Sequence, residues 1–198
     1  MKGQSIGMAV LASALAGAGL IGAGLTTAAI AQPMDGKTAK KALFAPVKAE
    51  VEILPDAGLP KDQATILKSV GAAQLYYGAI AISLQKGLMS ETTVAAANYH
   101  DVAAASVAAL AGCNAAIPGI KDCVVAALIR PKGWKDKGLS LSSDATAGFK
   151  ADYQVVGSAL AISAGSGAWG IGADGDAAIA ACVARNTEAT DCAVVIAN

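Results

Sequence analysis

Bulky side chains are scarce in this sequence. Phe, Trp and Tyr together make up 4% of its 198 residues, although 55% are hydrophobic. A core without them must be built from Ala, Val, Ile and Leu. Alanine buries little area, so such a fold gains from covalent staples. Histidine occurs once, at His100, which leaves one imidazole for any acid–base chemistry. An excess of either charge is also missing: 15 Lys plus Arg face 15 Asp plus Glu. That balance gives no electrostatic footprint for nucleic acid. Beyond Ile30 no second long apolar run follows, so no transmembrane segment is expected after the N-terminal one.

What is present begins with an export signal. Lys2 forms a short positive region, Met8 to Ile30 carries no charge, and Ala29-Ile30-Ala31 precedes Gln32-Pro33. A basic start, an apolar stretch and a small-x-small site are the layout of a secretory signal peptide. Cleavage after Ala31 is expected, with a secreted or periplasmic destination. An uncleaved anchor is the alternative, since the apolar run is just long enough to span. The stretch from Gln32 to Asn198 is long enough for one domain with its own core.

That remainder contains one pattern twice. Ala79 to Gly87 (AIAISLQKG) returns as Ala159 to Gly167 (ALAISAGSG). Each copy continues to Ala-Ala-(Leu/Ile)-Ala-x-Cys, ending at Cys113 and Cys182, and then to Asp122-Cys123 and Asp191-Cys192. The expected class is α+β: tandem pseudo-symmetric ββαβ repeats in one disulfide-stapled domain, each unit covering its sheet with the other.

In the first unit, residues 76–130, strands are expected over Tyr77 to Ser83 and Leu88 to Ala96, with a turn at Gly87. A helix capped by Asn98 or Asp101 then runs to about Ala111, and a strand runs from Cys123 to Ile129. In the second, residues 154–198, strands are expected over Val155 to Ser163 and Ala168 to Ala173. A helix capped by Asp176 runs to Arg185, and a strand from Cys192 to Ile196. The first copy is the longer between its shared serine and its first cysteine, Ser83 to Cys113 against Ser163 to Cys182. The surplus is expected as one insertion between second strand and helix. Residues 32–75 read as a tether with an edge strand at Val47 to Leu54 and a helix from Pro60 to Val70. Residues 131–153 read as a basic linker with a short strand at Leu139 to Ser142.

Four cysteines in an exported chain suggest disulfides, and three connectivities are open. Both copies place one cysteine at a helix end and one at the start of the next strand. An antiparallel return brings those points together, which predicts Cys113–Cys123 and Cys182–Cys192. Zinc fits poorly, because structural sites use close C-x2-4-C pairs.

The repeated residues resemble a family of secreted bacterial domains of unknown function with a (Trp/Tyr)-Gly-Ala-Ile-Ala-x-Ser, Gly-turn, Cys, Asp-Cys-x-Val-Val pattern. The matching segments are Tyr77 to Ser83, Gly87, Ala108 to Cys113 and Asp122 to Val125. Ala159 to Ser163, Gly167 to Gly170, Ala177 to Cys182 and Asp191 to Val195 match in the second copy. The resemblance covers residues 76–198 and implies a secreted, disulfide-bonded ββαβ-repeat fold; it implies no catalytic residues.

Several residues invite chemistry. His100 with Asp101 and Ser83 or Ser106 can be drawn as a triad, but no G-x-S-x-G elbow accompanies it. A surface or helix-capping role fits His100 better. Asp174 and Asp176 could face calcium, but a turn and cap account for both. Asp122 and Asp191 read as turn caps. The glycines around Gly167 and Gly170 lie in a hairpin, not at a helix start, so they form no phosphate cradle. Trp134, among Lys132, Lys135 and Lys137, is the best exposed anchor.

The expected function is therefore a non-catalytic, exported binding or interaction protein of the envelope, an inhibitor or effector. It needs no metal or cofactor, and its partner is a protein or an envelope component. Its contacts are expected from residues 88–100, including His100, and from the basic linker. An envelope hydrolase using His100 and a self-associating structural component are the alternatives.

Overall fold

A computed structural model describes residues 32–46, 49–119 and 121–198. The proposed signal segment and the first two residues of the expected Val47 to Leu54 strand lie outside them.

Two antiparallel sheets organise an α+β fold. The first has the strand order β1-β4-β2-β3, with β1 at Ala49–Ile53, β2 at Gly78–Ser83, β3 at Val94–Ala96 and β4 at Cys123–Pro131. The second has the order β6-β5-β7, with β5 at Ala159–Ser163, β6 at Trp169–Gly172 and β7 at Cys192–Ala197. β2 is buried along its whole length. Its alternation (Ala79 and Ala81 against Ile80 and Ile82) sends small and branched side chains to opposite faces.

Helix α3 (Val102–Ala116) packs on the alanine face through Ala105, Ala109 and Cys113. Helix α2 (Lys61–Ala72) and a 3-10 turn at Pro55–Ala57 cover the branched face, where Leu67 meets Ile80, Ile82 and Ile129. The second sheet follows the same rule. Helix α5 (Gly175–Arg185) lies against Ala159 and Ala161, while α1 (Gly36–Ala42) and α4 (Ser143–Asp152) cover Leu160, Trp169 and Ile196.

Each sheet is thus closed on both faces by helices, and each hydrophobic cluster draws on one sheet alone. This corrects the expectation that the two sheets cover each other. On the second sheet the helices that make self-covering work, α1 and α4, are the ones missed in the sequence, whereas α2 lies where a helix was expected. Residues 32–46 are no tether: Asp35 caps α1 by accepting from the N–H groups of Lys37 and Thr38, and Ala39 is fully buried. Met34 also pairs in parallel with Ile196 of β7. Residues 143–152 are no linker. Ser142 caps α4 by accepting from the N–H of Ala145, and Ala145, Thr146 and Phe149 face inward. The expected strand at Leu139 to Ser142 is absent, that stretch being the approach to this cap.

The registers of the two sheets coincide. Ser83 lies opposite Cys123 and Ser163 opposite Cys192. Both ladders shift just before the strand's second alanine, Ala81 or Ala161, leaving Ala126 and Val195 as the bulged residues. Cys113 bonds Cys123 and Cys182 bonds Cys192, each pair ten residues apart with Cα atoms 6.1 and 6.2 Å apart.

The extra residues of the first unit are not in one place. Ala79 pairs with Ala96 but Ala159 with Gly172, so the first hairpin has the longer turn. The connector from strand to helix cap is longer too, Ala96 to Asp101 against Gly172 to Asp174. The helix adds about one turn between cap and cysteine, Asp101 to Cys113 against Asp174 to Cys182.

Most of the strand expected at Leu88 to Ala96 is therefore turn. The Ser90 hydroxyl donates to the Gly87 carbonyl (2.8 Å) and the Thr93 hydroxyl to that of Leu88 (2.6 Å), so local bonds replace ladder bonds. Similarly, β5 starts at Ala159 rather than Val155, because Gly157 takes φ +72° and breaks the extended run. The α5 cap is Asp174, which accepts from the N–H of Ala177, and not Asp176. The α3 cap is Asp101.

Candidate interaction groove

His100 is 2% exposed, so it is not a surface residue and cannot be part of a contact face. It lies in the connector before α3 and joins three segments. The main-chain N–H of Ser142 donates to Nδ1 (3.0 Å), which leaves the proton on Nε2, and Nε2 donates to the Ala168 carbonyl (2.8 Å). Burial pulls its pKa below the ordinary 6.5, opposed by the Ala168 carbonyl and by Asp101 and Asp191.

Neither candidate serine reaches this imidazole. Ser83 donates to Asp122 (2.9 Å) and Ser106 to the Val102 carbonyl (2.6 Å). The drawn triad does not assemble, and both ring nitrogens hold the seam between the two halves. Around them the seam is polar. Asn98, at φ +64°, exchanges two bonds with Asp144, and the Ser143 N–H donates to the Tyr76 carbonyl (3.0 Å).

The repeated Ser and Asp build turns. Asp122 accepts from the Ser83 hydroxyl and from the Gln85 N–H (2.7 Å), and Asp191 accepts from the Gly165 N–H (2.7 Å). Burial opposes ionisation of Asp122, but the Gln85 N–H and the Ser83 hydroxyl outweigh it and hold the pKa below the usual carboxylate value. The Ser163 hydroxyl, then the Gly165 N–H, do the same for Asp191. Among the described residues no three His, Cys, Asp or Glu side chains gather as a metal site.

The residue that stands out is Trp134. The turn Pro131 to Trp134 is closed by the Trp134 N–H donating to the Pro131 carbonyl (3.0 Å), with Gly133 at φ +67°. Glu50 accepts from the Gly133 N–H (3.1 Å). The Arg130 guanidinium sits 4.8 Å from the indole centroid and pairs with Glu52. The indole, still 42% exposed, helps to line a groove of about 520 Å³ with Glu50, Glu52, Lys68 and Arg130.

β1 and β4 make this constellation. Glu50 lies directly opposite Arg130 in the ladder, so side chains distant in sequence share one face. Read from sequence, Glu50 and Glu52 are a solvated edge, and Lys68 gives no signal. The clue available was their alternation beside a strand ending in Arg130. The expected lysine cluster does not form one patch: Lys132 and Lys135 are exposed, whereas Lys137 stands 4.1 Å over the Phe44 ring.

No helix among the described residues is long and apolar enough to cross a membrane. No family model matches the chain, and neither a curated protein nor a solved structure does.

Proposed function

We propose that this is an exported, non-catalytic binding protein of the cell envelope, made from one ββαβ unit used twice, with its contact surface at the Trp134 groove. The signal-like layout of residues 1–31, the two disulfides and the resemblance to secreted repeat domains support export. The shared register, with the bulge at the same place in both ladders, supports duplication. The repeated polar residues are engaged in turns and His100 in the seam, so the doubled part serves as scaffold.

The observation that carries the reading is a half-exposed tryptophan held in a fixed turn, stacked by Arg130 and flanked by paired charges. A rigid aromatic anchor loses little entropy on binding and is the residue type that dominates contact energetics. The test is crosslinking of the oxidised protein within its own envelope fraction, wild type against Trp134→Ala. The expected result is a captured component lost in the variant. Capture unchanged by Trp134→Ala, with or without Lys132→Ala and Lys135→Ala, rejects this surface.

A further inference from the structure

We propose that the Trp134 groove takes a neutral saccharide chain, an inference that rests on the binding reading above and names its ligand class. Size is the first argument. At about 520 Å³ the groove falls within the roughly 300–1,000 Å³ of small-ligand sites.

Charge is the second. Glu50 and Glu52 face Lys68 and Arg130, two of each sign, so the groove has no net field to select an ion. A polyphosphate or other polyanion meets two carboxylates, and a polycation meets Lys68 and Arg130.

Hydrogen-bonding capacity is the third. Carboxylates only accept, while ammonium and guanidinium only donate. A ligand that uses both, side by side, carries groups that donate and accept at once, which is what hydroxyls do. Trp134 adds a flat apolar ring; Arg130 covers one face of it, and the other suits polarised C–H bonds. A pyranose ring has that composition: a C–H face to lie on an indole and a rim of hydroxyls.

The edge of β1 contributes as well. The Leu54 N–H donates to Ala126, so in the antiparallel ladder alternate residues bond β4 and the intervening Val51 turns its main-chain N–H and C=O outward. Val51 lines the groove and offers one further donor and acceptor. A peptide strand added to this edge is the competing occupant. It needs a row of apolar pockets for alternate side chains, but Val51, Ala72 and Trp134 are the only apolar lining residues, and Glu50 and Glu52 guard the edge.

The experiment is isothermal titration of the disulfide-bonded protein with chitotetraose and, separately, cellotetraose. Concentrations reach about 10 mM, tenfold beyond a ~1 mM affinity. Saturable binding of either is expected, chitotetraose alone indicating acetamido sugars and cellotetraose indicating plain hydroxyl contacts. Trp134→Ala is expected to weaken it at least about tenfold, and Lys68→Ala and Glu52→Gln by several-fold, with melting temperatures lowered by no more than about 4 °C. Tryptophan emission gives a second readout. The protein has two tryptophans, and Trp169 is 7% exposed, so Trp134→Phe should abolish the ligand-dependent change while preserving folding.

Three results overturn the inference: silence with both sugars, binding that survives Trp134→Ala, or tighter salt-sensitive binding of polygalacturonate than of either neutral probe. If Trp134-dependent capture of an envelope protein is seen while both titrations are silent, the saccharide falls and the binding reading stands. If capture also fails, both fall.

Discussion

The two halves reach one helix-on-sheet contact by opposite means. In the second half, glycine lies in the strand: a Cβ at Gly170 or Gly172 would overlap the main chain of α5 at Cys182 or Ala178. By ladder position Gly170 corresponds to Val94 and Gly172 to Ala96. The first half thus has a valine where the second has a glycine pressed against helix main chain. There the helix gives up the side chain instead. Gly112 precedes Cys113, and a Cβ on it would sit 2.9 Å from a Val94 methyl; its counterpart in the second half is Ala181. Val94 with Gly112, and Gly170 with Ala181, are complementary exchanges of bulk across one interface. What the contact requires is close approach, and either partner can supply it by giving up a side chain.

The sharpest way to break the comparison is Gly170→Val, which gives the second strand the first strand's residue without the glycine that faces it from the helix. The new side chain meets α5 backbone, which cannot rotate away. A loss of more than about 3 kcal/mol is expected, seen as loss of the cooperative unfolding transition. Next come the staples. Replacing Cys113 and Cys123 by serine, or Cys182 and Cys192, is expected to cost about 3 kcal/mol each in denaturant melts, because both loops have the same length. Clearly unequal losses would show that the halves differ in their unfolded state.

The seam tests whether the halves are coupled through His100. Its folded pKa lies below 6.5, so above that value the imidazole is neutral in both states and its contribution is complete. As pH falls below 6.5 the unfolded chain takes up the proton first, and stability declines toward the folded pKa. One proton gives at most about 1.4 kcal/mol per pH unit. Thermal melts between about pH 7 and 5 should therefore steepen in the wild type and flatten in His100→Gln, since this is the sole histidine. Equal slopes would remove the coupling.

Smaller still is Gly112→Ala. Crowding against one Val94 methyl opposes a helix-propensity gain of about 1 kcal/mol, so the net change in Tm-derived stability should stay within about 1 kcal/mol. Glu52→Gln removes a surface pair to Arg130 and should change stability by roughly 0–1 kcal/mol.

Which parts were legible follows from how each is encoded. The disulfides and the β2 and β5 strands announce themselves through a doubled motif whose spacing constrains both copies. α4 carries one bulky inward residue, Phe149, among Ala145, Thr146 and charged neighbours, so its apolar stripe is too thin to read. α1 is short and is held by Ala39, the Asp35 cap and a strand that arrives at the far end of the sequence. His100 reads as exposed because its partners, Ser142 and Ala168, lie in other segments. The groove was illegible for the same reason: Glu50 meets Arg130 only through strand register, which alternation alone does not reveal.

Met34 has one more consequence, for the order in which the molecule can complete itself. Its main chain takes a place on the outer side of β7, and the Gly36 N–H donates to the Asn198 side chain across a separation of 162 residues. A chain emerging N-terminus first presents this stretch early, and its bonds to β7 must wait until β7 has been made. The bonds that span this separation form only after both cysteine pairs are in place along the chain. Residues near Met34 thus emerge well before the strand that receives them, and their protection from proteolysis reports the docking of β7.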